Sequence, residues 1–230
     1  MEFHFCEKVT KFLVFKELVK KQFISEFVCI VIYIINAMKR LFDIFLSGIG
    51  LIGSCPFWLI FSIAIKLEDR GPIFYTQDRV GKNGRVFKAL KFRSMIPDAE
   101  KHTGAVWASE NDPRVTRVGR ILRATAMDEL TQLWNIFKGD ISFVGPRAER
   151  PELVETFSQK IKNYHQRFLV RPGLTGMAQV YGSYDTPPEH KLKYELLYIK
   201  NQSFLLDLKL IFLSFWITFR GKWESREKKN

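Results

Sequence analysis

The feature that most constrains this chain is an apolar stretch at residues 41–65, LFDIFLSGIGLIGSCPFWLIFSIAI. It is long enough to cross a bilayer, which takes about 20 apolar residues in a helix. Pro56, near its middle, removes a backbone hydrogen bond and bends a helix. Basic residues flank both ends, Lys39 and Arg40 before it and Lys66 and Arg70 after it. Because positive charge favours the cytoplasmic side, the pattern predicts a re-entrant membrane helix, with a plain transmembrane helix as the alternative.

The rest of the chain divides around this helix. Residues 1–38 carry basic residues and an apolar run too short to span, so we expect an N-terminal extension that forms an interfacial helix. The aromatic-rich segment 203–223 contains Asp207 and Lys209, which favours an interfacial helix over a spanning one. The predicted divisions are 1–38, a re-entrant helix at 39–70, one cytoplasmic catalytic domain at 71–223 and a charged tail at 224–230.

The composition narrows the class of partner. The formal net charge is +12, from 36 Lys and Arg against 24 Asp and Glu, which favours nucleic acid, acidic lipid or a phosphorylated substrate. However, 21 Phe and 5 Trp lie in segments too apolar for an ordinary nucleic-acid-binding domain. The composition therefore indicates a membrane surface and no nucleic acid. Three scattered cysteines in apolar sequence indicate buried thiols in a reducing compartment.

A β-hairpin is predicted after the apolar segment. Two strand-like runs flank the turn sequence Gly81-Lys82-Asn83-Gly84, and Asn-Gly is a strong hairpin signal. Lys88, Lys91 and Arg93 crowd the second run. They indicate either a solvated strand face or a phosphate-binding one.

Residues 116–138 are predicted to be helical, with a restart near residue 126. Arginines recur every third position on one face, at Arg117, Arg120 and Arg123. Thr125 and Asp128 match a capping box, which would start a new helix with Asp128 and Glu129 in its first turn. Gly139 would end it. The apolar stripe predicted for this helix consists of Met127, Leu130, Trp134 and Phe137.

The adjacent carboxylates of Asp128 and Glu129 are suited to two different chemical roles. Neighbouring helical residues point about 100° apart, so Asp128 and Glu129 are not expected to share one proton. One could attack a substrate while the other holds a metal. A helix N-terminus would favour the ionised form of both, which is the form that a nucleophile or a Mg²⁺ ligand requires.

Arginines near this pair could bind phosphate. Arg123 lies five residues before Asp128, Arg147 follows a Gly-Pro turn, and Arg171 precedes another Pro-Gly turn. Phosphoryl transfer depends on such cations to neutralise charge on the phosphate oxygens. Beside a membrane segment, they indicate a phosphorylated substrate handled at the bilayer surface.

Three stretches together resemble the successive motifs of one family over about residues 39–215. They are KRLFDIFLSGIGLIGSCPFWLIFSIAIKLEDRGPIFYTQDRVGKNGRVFKALKFRSM, NDPRVTRVGRILRATAMDELTQLWNIFKGDISFVGPRAERPE and RPGLTGMAQVYG. The family is that of the bacterial sugar transferases, the monotopic polyprenyl-phosphate phosphoglycosyl transferases. Two departures stand out: Cys55 separates Ser54 from Pro56, where the family has a Ser-Pro pair, and Met177 replaces a common Trp.

The resemblance implies a ping-pong phosphoryl transfer. Asp128 would attack the sugar-bearing phosphate of a UDP-sugar, expel UMP and hold the sugar phosphate until undecaprenyl phosphate accepts it. Glu129, with Asp128, would bind Mg²⁺. Arg123 and Arg147 would contact phosphate, with Lys91, Arg93 and Arg171 as further candidate substrate-binding residues.

The resulting expectation is a mainly helical α+β protein in the inner membrane, with its catalytic domain on the cytoplasmic face. It comprises a re-entrant helix, a small β-hairpin and amphipathic interfacial helices. Expected partners are the bilayer, downstream glycosyltransferases that extend the glycan and, in one arrangement, a second copy in a homodimer. Two alternatives remain: a noncatalytic membrane scaffold, and a sugar-only glycosyltransferase that would release UDP.

Overall fold

The computed structural model describes residues 2–99, 112–182 and 186–219. The chain forms two compact units, residues 1–41 and 42–230. Helix α1, Glu2–Asp69, is continuous, so the helix does not end at residue 38, where the sequence suggests a boundary. Its part from Tyr33 to Asp69 is long and apolar enough to cross a membrane, by length and composition.

Helix α1 also continues through Pro56. Proline offers no N–H to the preceding turn. Ser54 nevertheless contacts the backbone there, since its hydroxyl donates to the Leu51 carbonyl at 3.2 Å, although Cys55 separates it from Pro56. The helix break expected at this position is therefore not confirmed.

The hairpin predicted around Asn83-Gly84 is confirmed. Strands β1, Phe74–Val80, and β2, Val86–Phe92, pair antiparallel in a register that joins Phe74 to Phe92 and Val80 to Val86. Asn83 has φ 57° and Gly84 has φ 76°. These left-handed conformations are accessible to asparagine and glycine, so the turn follows from its local sequence.

The remaining elements confirm a mainly helical α+β protein. Strands β3, Ser142–Val144, and β4, Gly173–Thr175, form a parallel pair, and within the described residues short 3₁₀ helices lie at Lys82–Gly84, Met127–Glu129 and Tyr164–Leu169. The other elements are α2 Arg117–Ala124, α3 Gln132–Lys138, α4 Pro151–Lys160, α5 Met177–Tyr181, α6 Pro188–Lys200 and α7 Phe204–Phe219.

A buried carboxylate on α1 fixes the position of β3. Asp43 is 1% exposed, and one of its oxygens accepts hydrogen bonds from the Ser142 hydroxyl and the Phe143 N–H, both at 3.1 Å. A buried carboxylate must be hydrogen-bonded to persist. This contact fixes the strand that leads into the Gly-Pro-Arg turn at residues 145–147.

The apolar stripe predicted for the helix after the acidic pair is wrong in part. Leu133 and Ile136 are the buried apolar residues of α3, whereas Trp134 and Phe137 are 47% and 41% exposed. The helix begins at Gln132 and not near residue 126, so its phase differs from that of a longer helix. Leu133 packs closely on α1, where its Cδ1 lies 3.0 Å from the position that a Cβ on Gly50 would occupy.

Helix α7 has one buried side and one exposed apolar side. Asp207 is 3% exposed and accepts a hydrogen bond from the Tyr198 hydroxyl at 2.7 Å. The sequence suggests an interfacial charge at this position, and the structure corrects that to a core contact. The exposed side includes Leu205, Phe212, Phe215 and Trp216. Residues 220–223 and the predicted tail at 224–230 lie outside the described residues.

Candidate active site

The acidic pair lies in the 3₁₀ turn Met127–Glu129, between α2 and α3. Ala126 before it is left-handed, with φ 54°, which is uncommon for a residue other than glycine. The capping box predicted for Thr125 is wrong, because its hydroxyl donates to the Ile121 carbonyl at 2.7 Å and closes α2. Thr116 caps the start of α2 instead. The carboxylates therefore do not occupy the first turn of an α-helix.

Two cations converge on one oxygen of Glu129. Lys91 Nζ, from β2, and Arg147 Nη2, from the loop after β3, each lie 2.6 Å from Glu129 Oε1. Lys91 Nζ is also 4.0 Å from Asp128 Oδ2. The Arg147 side chain is 40% exposed, against 14% for Glu129. The structure thus brings Lys91 and Arg147 to the acidic pair, and Arg147 faces solvent where a substrate could reach it.

The pKa values of the two carboxyl groups are shifted in opposite directions, upward for Asp128 and downward for Glu129. Burial raises the pKa of Asp128, with Lys91 opposing the rise and the charge of Glu129 adding to it. Burial also works against ionisation of Glu129, but Arg147 and Lys91 outweigh it and hold the pKa of Glu129 well below its usual range. A helix N-terminus is therefore not what sets these charges. Neighbouring carboxyls with diverging pKa values commonly carry different roles.

Arg123 lies within electrostatic range of the pair. Its Nε donates to the Ser94 hydroxyl at 2.9 Å, and its charge contributes to lowering the pKa of Asp128. Arg123 is half-buried, whereas Arg117 and Arg120 on the same helix are exposed. The charge of Arg123 therefore acts on the acidic pair.

Arg93 and Arg171 make other contacts. Arg93 is buried and pairs with Asp69 at the end of α1, in space that a Cβ on Gly71 would fill. Arg171 donates from Nε to the Gly139 carbonyl at 3.1 Å, at the end of α3. Their substrate-binding role stays a prediction.

The loop that carries Arg147 is held at three consecutive carbonyl groups. The donors are Arg167 Nη2 to Arg147 O at 2.7 Å, Arg79 Nη1 to Ala148 O at 2.9 Å, and the Val80 N–H to Glu149 O at 2.9 Å. Sequence reasoning missed Arg79 and Arg167, because an arginine in a strand or short helix resembles a surface residue until its distant partners are known. Phe168 and Leu169, the hydrophobic residues that follow Arg167 in the sequence, are only a weak indication that Arg167 is buried.

Arg79 also belongs to the electrostatics of the site. Burial and the charge of Arg147 lower the pKa of Arg79 to about 10, while Glu149 partly offsets them. Cations are thus close enough together here to repel one another. Such a cluster is suited to an anionic ligand.

Asp128 and Glu129 are the candidate carboxylate ligands for a magnesium ion. Among the described residues no group of three or more His, Cys, Asp and Glu side chains could hold a metal. Mg²⁺, however, commonly binds one or two carboxylates together with substrate phosphates and water. Asp128 Oδ2 lies 4.0 Å from Lys91 Nζ, beyond direct hydrogen-bond distance. The donor set therefore suits a metal that arrives with a phosphorylated ligand.

Comparison with known proteins places this geometry in context. Residues 34–221 match the family model described as Bacterial sugar transferase. Over 178 residues the chain is 42% identical to a UDP-N-acetylgalactosamine-undecaprenyl-phosphate N-acetylgalactosaminephosphotransferase of Aeromonas hydrophila, covering 76% of this chain and 42% of that protein.

Two further relatives are similar. A UDP-glucose:undecaprenyl-phosphate glucose-1-phosphate transferase of Klebsiella pneumoniae is 41% identical over 189 residues, which cover 80% of this chain and 40% of that protein. The exopolysaccharide production protein PSS of Rhizobium leguminosarum bv. phaseoli is 40% identical over 183 residues, covering 76% and 92%. The matched part thus spans about two fifths of the Aeromonas and Klebsiella relatives and nearly all of the Rhizobium one.

Proposed function

The chain belongs to the bacterial sugar transferase family, and we propose that it transfers a sugar 1-phosphate from a UDP-sugar to undecaprenyl phosphate, releasing UMP. The observation that carries the proposal is the convergence of Lys91 and Arg147 on Glu129 beside Asp128, whose side chain is 13% exposed. That arrangement combines a candidate nucleophile with cations for phosphate. The names of the Aeromonas and Klebsiella relatives describe this class of reaction.

The two carboxylates support an assignment of roles. Glu129 is bound by two cations at 2.6 Å, whereas Lys91, the cation that pairs with Asp128 among the described residues, lies 4.0 Å from it. Asp128 is therefore better suited than Glu129 to be the nucleophile, because its carboxylate is less closely bound by cations. It attacks the phosphorus that bears the sugar, the bond from that phosphorus to UMP breaks, and an aspartyl phosphosugar forms. An oxygen of undecaprenyl phosphate then attacks the same phosphorus and the bond to Asp128 breaks.

Basic residues around the pair neutralise the transferring phosphate. The Arg147 side chain is 40% exposed, against 20% for Lys91, so Arg147 can meet the diphosphate while it holds Glu129. Arg123 and Lys91 add positive charge on the side of Asp128. In phosphoryl transfer, catalysis comes mainly from such positioning and charge stabilisation.

Asp128 and Glu129 would hold Mg²⁺, which when bound supplies charge neutralisation at the phosphates. A cation beside Asp128 also favours its ionised form. We expect EDTA to stop UMP release and excess Mg²⁺ to restore it, with the protein still folded by circular dichroism. Full activity in EDTA would contradict the metal assignment.

The test of the function is UMP release with undecaprenyl phosphate across a panel of UDP-hexoses and UDP-N-acetylhexosamines. We expect UMP with at least one donor and a lipid-linked sugar diphosphate as co-product. Release of UDP would favour a sugar-only glycosyltransferase. Absence of turnover with every donor, while the protein still binds bilayers, would favour a noncatalytic scaffold.

Exposed apolar residues on α1 and α7 support the proposal that the protein associates with a lipid bilayer. Leu41, Phe45, Ile52 and Leu59 on α1 are each more than 60% exposed, as are Phe212 and Phe215 on α7. Such a surface is unusual on a soluble monomer. We propose that α1 is re-entrant, that α7 lies in the interface, and that the catalytic domain faces the cytoplasm of the inner membrane. Downstream glycosyltransferases and a homodimer stay predictions.

Topology can be measured by cysteine labelling. Single cysteines at Lys39 and Lys66, in a variant without the three native cysteines, should react from the same side of inner-membrane vesicles with an impermeant maleimide. The reason is that a re-entrant helix returns both ends to one face. Labelling from opposite sides would identify a spanning helix.

A further inference from the structure

We propose that the buried ion pair of Arg167 and Glu195 is a positioning device that holds the Arg147 peptide, and through it the Arg147 guanidinium, at the acidic pair. The inference rests on the proposed function for its effect on turnover. Its structural part, the clamp on Arg147, can be measured without any substrate.

The contacts form an unbroken chain from α6 to the site. Arg167 Nη2 lies 2.7 Å from Glu195 Oε1 and 2.7 Å from the Arg147 carbonyl. Burial raises the pKa of Glu195, and the charge of Arg167 and a backbone hydrogen bond from Arg147 oppose that rise. Arg147 Nη2 then reaches Glu129 Oε1 at 2.6 Å. The pair therefore acts on the same residue whose side chain contacts Glu129.

The pair itself is held firmly. The side chains of Arg167 and Glu195 are 3% and 4% exposed. Arg167 Nη1 also donates to the Tyr164 hydroxyl, and its guanidinium lies 4.9 Å from the centroid of the Tyr164 ring. A guanidinium with several fixed partners has little freedom to move, so it can fix the carbonyl that it contacts.

Stability alone does not account for such a pair. Removing two charges from water costs about as much as their attraction returns, and apolar replacements of similar volume are often neutral or stabilising. The Nη2 of Arg167 that pairs with Glu195 also donates to a loop carbonyl beside the site. The geometry points to a role in fixing the loop, since misplacement of a substrate-positioning group by about 1 Å can cost roughly 100-fold in rate.

The test uses a double variant, Arg167→Met with Glu195→Leu, in the full chain in detergent or nanodiscs. Removing both charges avoids leaving one buried and unpaired. We expect a Tm close to that of the parent, faster amide hydrogen exchange in residues 145–150, and a fall in kcat of roughly tenfold or more, because Arg147 is no longer held in place.

The matched control is Tyr198→Phe, which lies one turn further along α6. It removes equally buried hydrogen bonds, to the Asp207 carboxylate and to the Val144 carbonyl of β3, and leaves the donors to the Arg147, Ala148 and Glu149 carbonyls in place. We expect it to lower Tm but to leave kcat and the exchange of residues 145–150 unchanged. A fall in kcat of the same size in Tyr198→Phe would overturn the proposal, because it would make the effect one of general stability.

A second comparison asks whether the pair acts through Arg147. In an Arg147→Ala background, the Arg167→Met and Glu195→Leu changes should lower kcat no further. Independent, additive losses would overturn the positioning role. If the double variant does not fold, Arg167→Lys replaces it, and its kcat loss should likewise vanish in the Arg147→Ala background.

Failure of the proposed function gives a different result. If the parent releases no UMP from any UDP-sugar, the proposed function fails and hydrogen exchange alone decides on the clamp. Faster exchange of residues 145–150 in the double variant, but not in Tyr198→Phe, supports the clamp. Unchanged exchange overturns it.

Discussion

Replacing Asp128 with asparagine is expected to abolish turnover, by at least about a thousandfold, as removal of a catalytic nucleophile does in other enzymes. The amide has the size of the carboxylate but cannot attack phosphorus. Since burial raises the pKa of Asp128, its ionised form costs stability in the fold. The neutral variant should therefore have an unchanged or slightly higher Tm.

Two measurements separate this result from a folding defect. Incubation with the UDP-sugar but without undecaprenyl phosphate should add one sugar phosphate to the parent, seen by intact mass spectrometry, and nothing to Asp128→Asn. Asp78→Asn is the control, because Asp78 is an exposed β1 residue paired with Lys88 at 3.2 Å, and we expect full activity from it. Full activity in Asp128→Asn would exclude the covalent mechanism.

Replacing Glu129 with glutamine is expected to lower both activity and stability. The carboxylate is the common partner of Lys91 and Arg147, so the amide leaves both cations without their anion. We expect kcat to fall by roughly 100-fold, the size of effect seen when a positioning group is lost. The free energy of unfolding at neutral pH should fall by about 1–3 kcal/mol, the cost of unpairing largely buried polar groups.

The stability loss should depend on pH. The pKa of Glu129 is depressed in the folded state from an ordinary value of 4.5, so its contribution is present above that value and is lost as the pH falls below it. The difference in unfolding free energy between parent and Glu129→Gln should thus be full at pH 7 and narrow below pH 4.5. A constant difference across this range would contradict the ion-pair account. Glu152→Gln, at an exposed position in the first turn of α4, should change neither quantity.

Local signals in the sequence were sufficient where a few neighbouring residues decide the backbone. Asn83 and Gly84 can adopt left-handed conformations, so the hairpin was predictable. Gly139 is likewise left-handed at the end of α3, as its position after Lys138 indicates. The long apolar segment within α1 was predictable from hydropathy, since composition alone makes it able to enter a bilayer.

Errors arose where a side chain had two possible partners. Thr125 could cap a following helix or close a preceding one, and in the fold it bonds to the Ile121 carbonyl. Asp207 could be an interfacial charge or a core acceptor, and Tyr198 makes it the latter. Trp134 and Phe137 have the spacing of a buried stripe, but the short helix α3 buries Leu133 and Ile136 instead. Local sequence does not contain the information that decides between such alternatives.

By itself the sequence determined the family, the membrane-directed apolar segment, the hairpin and the acidic pair, because each depends on residue type and short spacing. Only the tertiary structure decided how the pair is charged and held. Lys91 and Arg147 lie 38 and 18 residues from Glu129 along the chain, and Arg167 and Glu195 lie 28 apart. Electrostatic and hydrogen-bond energies depend on distances in space, so the opposite pKa shifts of Asp128 and Glu129 and the grip on Arg147 arise only when the chain is folded.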